Sequence, residues 1–235
     1  MNINDVESQN RPDNPLADIF ERQTELMQKY HKIEEANGLL ITDQVPVNLH
    51  SSKGQQRLKD FAWRITEELG EALEARIIHE DMPAHFDEEV ADALHFLVEF
   101  TILAGVGSGE LVDWITGEEA VNVTDDWATL FVCSKVTPMH TDVYAFRDPL
   151  RQYGNLAVAV GSFIESLAKT CNCLKNKPWK QTQMKTDVDY FYSKLAATWI
   201  SFIQICITAG ITEDDLYNLY FRKNAVNQFR QRSKY

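Results

Sequence analysis

The stretch "TEELGEALEARIIHEDMPAHFDEEVADALHFLVEF", residues 66–100, decides the fold. It reads as two helices with a break near Pro83, since proline lacks the amide hydrogen that a helix interior needs. Along the first helix Phe61, Ile65, Leu69 and Ala72 recur at helical spacing and form one apolar stripe. Glu68 falls at the edge of that stripe, Glu71 beside it, and Glu67 points further out. The second helix is apolar almost all round, which marks it as central. It nevertheless carries Glu89 and Asp92, and Asp92 shares its side with Phe96 and Leu103. An isolated ionised carboxylate there is costly, so it calls for a cation or hydrogen-bonding partners.

Residues three apart on a helix are surface neighbours, so Glu68 with Glu71, and Glu89 with Asp92, can each aim two carboxylates at one point. One E-x-x-E pair is commonly a solvated face. Two pairs on adjacent helices, one of them in apolar surroundings, point to a shared cation. Four converging carboxylates repel one another when empty, and hard oxygen donors suit Mg²⁺, with Mn²⁺ as a substitute. Asp92-Ala93-Leu94-His95 has the spacing of a di-iron Glu-x-x-His motif. That architecture needs the motif on two helices, and the chain offers it on one.

Outward from this stretch the chain continues as helices. Pro15 opens PLADIFERQTELMQKYHKIEEA and Gly38 is placed to end it. Residues 38–56 read as a loop, and helices follow at about 57–80, 86–104, 153–173 and 186–208. A last helix is expected over about 212–231, with Thr212 as N-cap and Glu213, Asp214 and Asp215 in its first turn. Residues 107–150 are too mixed to assign, and nothing alternates as a strand would. The expected class is all-α.

An internal similarity runs through these helices. "TILAGVGSGEL" (101–111) resembles "CITAGITEDDL" (206–216). The same register pairs "EEVADALHFLVEF" with "SKLAATWISFIQI", and "TEELGEAL" pairs with "IESLAKTC". Glu68 then faces Ser166, Glu71 faces Lys169, Glu89 faces Lys194 and Asp92 faces Ala197. The acids are confined to one copy while the apolar frame persists in both. This predicts a bundle of two degenerate helix-pair repeats, about 57–106 and 153–211, with a four-helix core and one acidic site.

With 235 residues the chain suits one large domain or two small ones, and the expected layout is a flexible arm at 1–14 followed by a single all-α unit, 15–235. A net charge of −12 argues against broad DNA, RNA or membrane-surface binding, but not against a metal-chelated anion. The four cysteines form no C-x-x-C pair, so free thiols and a cytoplasmic setting are expected. No signal-like apolar core opens the chain, and no apolar run reaches the ~18 residues of a membrane span. Against that acidity, Phe221–Tyr235 holds five basic residues and no acid. Lys223, Asn227 and Arg230 lie four and three apart on one face, a set suited to a polyphosphate or to a helix C-terminus.

These residues resemble a known superfamily. "EELGE" followed by "EEVAD" matches the E-x-x-E … E-x-x-D signature of the all-α nucleoside triphosphate pyrophosphohydrolases, which include MazG, the dimeric dUTPases and the T-even phage dCTP/dUTP pyrophosphatase. "DALHF" (92–96) and "YFRKNAVNQFRQRSKY" are similar to segments of the dUTPase/dCTPase branch, as are "FERQTEL" around Gln23 and "KPWK" (177–180). The resemblance spans about 15–235 apart from 107–150. It implies Glu68, Glu71, Glu89 and Asp92 as Mg²⁺ ligands, with Glu68 or Glu71 as the base. It implies Lys223 and Arg230 on phosphate, Asn224 and Asn227 on phosphate or sugar, His95 near the sugar, Phe96 stacked on the base and Gln23 reading its edge. The implied reaction takes dUTP to dUMP and pyrophosphate in a homodimer. A dCTP/dUTP pyrophosphatase, a broader MazG-like enzyme and a non-catalytic helical module are the alternatives. The dimeric dUTPases place a tryptophan after the first acidic pair, and "ARIIHEDMPAHF" has none, which leaves dUTP against dCTP open.

Overall fold

The computed structural model describes residues 3–78, 83–117, 125–136, 149–177, 181–182 and 184–233. Eight α-helices build it: α1 (Pro15–Ala36), α2 (Ser52–Ile78), α3 (Pro83–Leu103), α4 (Ser108–Thr116), α5 (Asp126–Val136), α6 (Pro149–Cys173), α7 (Val188–Ala209) and α8 (Glu213–Arg232). No strand occurs among the described residues, so the class is all-α. The sequence leaves 107–150 unassigned; α4, α5 and the start of α6 lie there. The expected helix and pattern ends at 79–80, 178–180 and 234–235 lie outside the described residues.

Local chemistry fixes the ends. Asn14 caps α1 by accepting from the Ala17 amide at 3.1 Å. α2 starts five residues before the expected position, because Ser51 caps it: its hydroxyl accepts from the Gly54 amide at 3.0 Å and donates to the Asn48 carbonyl at 2.9 Å. Gly54 is required at this turn, since a Cβ there would clash with the Asn48 carbonyl oxygen. Thr212 and Asp215 form the capping box that opens α8.

The two most extensive helix contacts are α2 with α3 and α6 with α7. Both pairs end in the same corner. Gly105 after α3 and Gly210 after α7 both take left-handed φ, +84° and +83°. In both, the next amide reaches back to close the turn, Val106 to the Thr101 carbonyl at 3.2 Å and Ile211 to the Cys206 carbonyl at 2.9 Å. The chain then bends by 95° into α4 and by 103° into α8.

The pairs share one core. Phe191, Trp199 and Phe202 of α7 are fully buried core. Trp199 stacks on Phe20 of α1 and donates to the Thr101 hydroxyl of α3 at 2.9 Å, tying three helices together. Burying a large apolar side chain of this kind contributes ~1.5–3 kcal/mol. Residues 3–14, expected as a flexible arm, lie against α8 and the start of α5. Ile3 is buried, its carbonyl accepts from Arg222 at 2.9 Å, and Arg11 pairs with Asp125 at 2.7 Å and Asp214 at 3.2 Å. None of the four cysteines forms a disulfide. Among the described residues no single helix is long and apolar enough to cross a membrane.

Candidate functional site

α1, α3 and α8 pack against one another, and α3 also lies along α2, so side chains from four helices meet beside the middle of α3. There Glu68 of α2 and Glu89 and Asp92 of α3 each offer a carboxylate oxygen, all within 4.8 Å of one another. Glu71 is exposed and outside this trio. Three residues along a helix are a rise of about 4.5 Å and a turn of about 60°, and α3 crosses α2 closely enough to meet only the first acid. Glu71 still acts through its charge, which raises the proton affinity of both Glu68 and Glu89.

The electrostatics are those of an acid cluster without enough counter-charge. Desolvation first, then the charges of Asp92 and Glu89, push Glu68 up to about 8. Glu68 is therefore the group that holds a proton, hydrogen-bonded to Glu89. Burial likewise raises Asp92 to about 6, although Lys223 pulls it back. The Lys223 ammonium, on α8 and almost fully buried, sits 2.7 Å from Asp92 and 2.7 Å from Glu88. Burial lowers its proton affinity, but the adjoining carboxylates more than reverse that, so it stays charged. Hard oxygen donors, mutual repulsion and a cation already drawn to Asp92 all fit a divalent metal held by Glu68, Glu89 and Asp92.

Beside the trio lies a cleft of about 180 Å³ lined by Gln23, Leu26, Tyr30, Glu34, Arg64, Asp92, His95, Phe96, Glu99 and Asn227. Asp92 belongs to both the cleft and the trio, so one end of the cleft is the acid cluster. Phe96 packs edge-on against Phe61, and the Arg64 guanidinium lies over both rings. His95 stacks on Tyr220 at 4.1 Å between ring centres. Its Nδ1 donates to the Ala91 carbonyl at 2.8 Å, since a carbonyl can only accept. Burial holds its pKa at about 4, so the ring is neutral and its Nε2 is a buried acceptor without a partner among the described residues.

The structure thus brings Gln23, His95, Phe96 and Asn227 to one cleft. Asn224 is buried behind it, accepting from Gln228 at 3.0 Å, and Lys223 faces the acids. Arg230 is exposed at the cleft's outer side, where its charge reaches Tyr30. Sequence reasoning missed Glu99, whose carboxylate accepts from Gln23 Nε2 at 2.9 Å, and Tyr220, which touches Gln23 from the other side at 3.0 Å. A signal for Glu99 existed: it is the lone acid in "HFLVEFTIL", two turns beyond Asp92 on the same face. Glu88, outside both acid pairs of the sequence, is a partner of Lys223.

Fold and site together define an all-α protein with an acidic, cation-competent cleft. A family model described as dUTPase matches residues 78–235, more than half of the chain, and the chain belongs to that family. No curated protein and no solved structure matches it. Membership carries a dUTP pyrophosphatase-type function in general, a nucleotide substrate and the use of a divalent metal. The matched span takes in Glu89, Asp92, His95, Phe96 and α8, and begins after Gln23, Glu68 and Glu71.

Proposed function

We propose that the protein is a Mg²⁺-dependent enzyme that hydrolyses dUTP to dUMP and pyrophosphate. The observation that carries this reading is Asp92, which joins the acid trio to the cleft and so sets a phosphate chain beside a base. When bound, the divalent cation supplies charge neutralisation and a water of lowered pKa. Glu68, Glu89 and Asp92 would hold it.

The remaining work falls to the chain. Glu71, outside the trio with its oxygens uncommitted there, takes the proton of the attacking water; Glu68, the other candidate, would first have to lose the proton it holds in the protein alone. Lys223, which neutralises Asp92 and Glu88 in the protein alone, would be available to phosphate with a cation on the acids, and Arg230 adds charge from outside. His95 offers its free Nε2 to a sugar hydroxyl, and Asn227 and Asn224 supply amide groups to sugar or phosphate. Phe96 gives the base an apolar face and Gln23 reads its edge. The cleft is small against the ~300–1,000 Å³ of drug-sized sites, which suits a base and sugar with the phosphates on the acids outside.

Pyrophosphate release across a dNTP panel, with Mg²⁺ and with EDTA, tests this. Release from dUTP that EDTA stops is expected. Release from no dNTP would sink the enzyme reading, and release from dCTP alone would change the substrate. A homodimer belongs to the same reading, and sedimentation velocity checks it.

A further inference from the structure

The amide of Gln23 is clamped from both sides. Its Nε2 lies 2.9 Å from Glu99 Oε2, and the Tyr220 hydroxyl lies 3.0 Å from its Oε1. The same hydroxyl is 3.0 Å from the Ile19 carbonyl oxygen. Each of these two contacts needs a proton between its oxygens, yet a phenol has one. Two schemes satisfy the geometry. In the first, the phenol donates to Gln23 Oε1, Nε2 faces Glu99, and Glu99 accepts, which an ionised carboxylate does with either oxygen and a protonated one with its carbonyl oxygen. In the second, the phenol donates to the Ile19 carbonyl, which can only accept, and its oxygen must accept from Gln23. The amide is then turned over, Oε1 faces Glu99, and Glu99 must donate, so it carries a proton.

We propose that Glu99 is a positioning residue that fixes which way the Gln23 amide faces the cleft, and thereby which pyrimidine edge, uracil or cytosine, the site accepts. The inference rests on the nucleotide reading above. Turning an amide over exchanges its spare N–H and its spare lone pair. The two bases differ by that same exchange: uracil presents N3–H and O4, cytosine presents N3 and N4–H₂. Ionised Glu99 therefore holds the amide in the first orientation only, and a proton on Glu99 opens the second, complementary one.

The groups around Glu99 allow both states near neutrality. From α1, His31 Nε2 stands 3.9 Å from Oε1, and Glu34 and Tyr30 lie nearby; α2 contributes Arg57 and Arg64, and α8 contributes Tyr220. Glu34 occupies both arginines, at 2.6 and 3.2 Å, and is itself held ionised: burial raises it, but Arg57 and then Arg64 take it below its ordinary value. Burial, then the charge of Arg57, keep His31 neutral. Glu99 is left with an amide for a partner, and burial pushes it up to about 7.

The test is calorimetric binding of dUMP and of dCMP to the full chain with Mg²⁺, at about pH 6 and about pH 8, either side of that titration. For the wild type, the dUMP-to-dCMP affinity ratio should change by about fivefold or more between the two pH values. For Glu99→Gln the ratio should be the same at both within about twofold, because an amide at this position can donate or accept at either pH. Gln23→Met, which removes the amide that Glu99 orients, should flatten the ratio in the same way and serves if Glu99→Gln does not fold. His31→Asn should keep the wild-type shift. A flat ratio in the wild type, or a wild-type shift retained in Glu99→Gln or Gln23→Met, overturns the role of Glu99 and leaves the nucleotide reading standing. A wild type that binds neither nucleotide removes that reading, and the inference with it.

Discussion

The α2–α3 and α6–α7 pairs pack in the same manner and end in the same glycine corner, yet their inner faces hold opposite chemistry. Between α2 and α3, Glu68, Glu89 and Asp92 crowd together with their proton affinities raised. Between α6 and α7, Ser166 meets Ser201 at 3.1 Å and Thr170 meets Thr198 at 2.9 Å, hydroxyls that satisfy one another. Lys194, in the register of Glu89, rests on the Tyr190 ring, and Lys169, in that of Glu71, pairs with Glu165 at the surface. Close helix packing needs no buried acid. The acids of the first pair cost stability in the protein alone, which is the mark of groups kept for a ligand rather than for the fold.

The sharpest way to break this contrast is Asp92→Asn, which takes the charge from the first pair. Pyrophosphate release should fall on the order of a thousandfold or more, while far-UV circular dichroism stays as in the wild type. A substantially active variant would remove Asp92 from the site. The next test asks whether only the acidic pair takes a cation. Mg²⁺ at about 100 times its dissociation constant should stabilise the wild type by about 2.7 kcal/mol, a rise of several degrees in melting temperature. Glu89→Lys, which copies Lys194, should show no rise, and an equal rise in that variant would place the cation elsewhere.

A smaller effect separates Glu99 from Gln204, its partner in register. Below about pH 4.5 folded and unfolded chains both hold the Glu99 proton, and the residue contributes nothing. As pH rises the unfolded chain releases it first, so stability falls until the folded pKa of about 7 is passed. Glu99→Gln should remove that fall, on the order of 3 kcal/mol at pH 8, in urea melts at two pH values. A variant that loses stability with pH as steeply as the wild type would count against the burial argument. The mildest test is Thr170→Val in the second pair. It should cost about 1 kcal/mol and leave turnover unchanged, because Thr198 still donates to the Lys194 carbonyl at 2.9 Å. Lost turnover would mean that the hydroxyl pair supports the site directly.

The long helices were legible because their apolar residues keep one period over many turns. α4 and α5 were not. α4 is nine residues long and opens with glycines that read as a stop. In α5, Trp127, Leu130, Phe131 and Ser134 are buried at helical spacing, but exposed Val132 and half-buried Cys133 blur the stripe. In the site, the E-x-x-E spacing named the right helix but could not tell Glu68, which faces α3, from Glu71, which does not. That distinction depends on where two helices cross, and spacing along one helix carries no such information. The same holds for Lys223. Its helix face was readable, but its burial against Asp92 and Glu88 depends on the bend at Gly210.

That bend has a further consequence. α4 and α8 leave matching corners, but one runs nine residues and the other twenty. Laid on α8, the nine residues of α4 would stop at Phe221. Lys223, Asn224, Asn227 and Arg230 all lie beyond that point, on an extension of about 16 Å at 1.5 Å per residue. A nearly equal turn therefore yields a short brace in one half and a long arm in the other. Reach, more than any change in direction, is what lets the second half attend to the first half's acids.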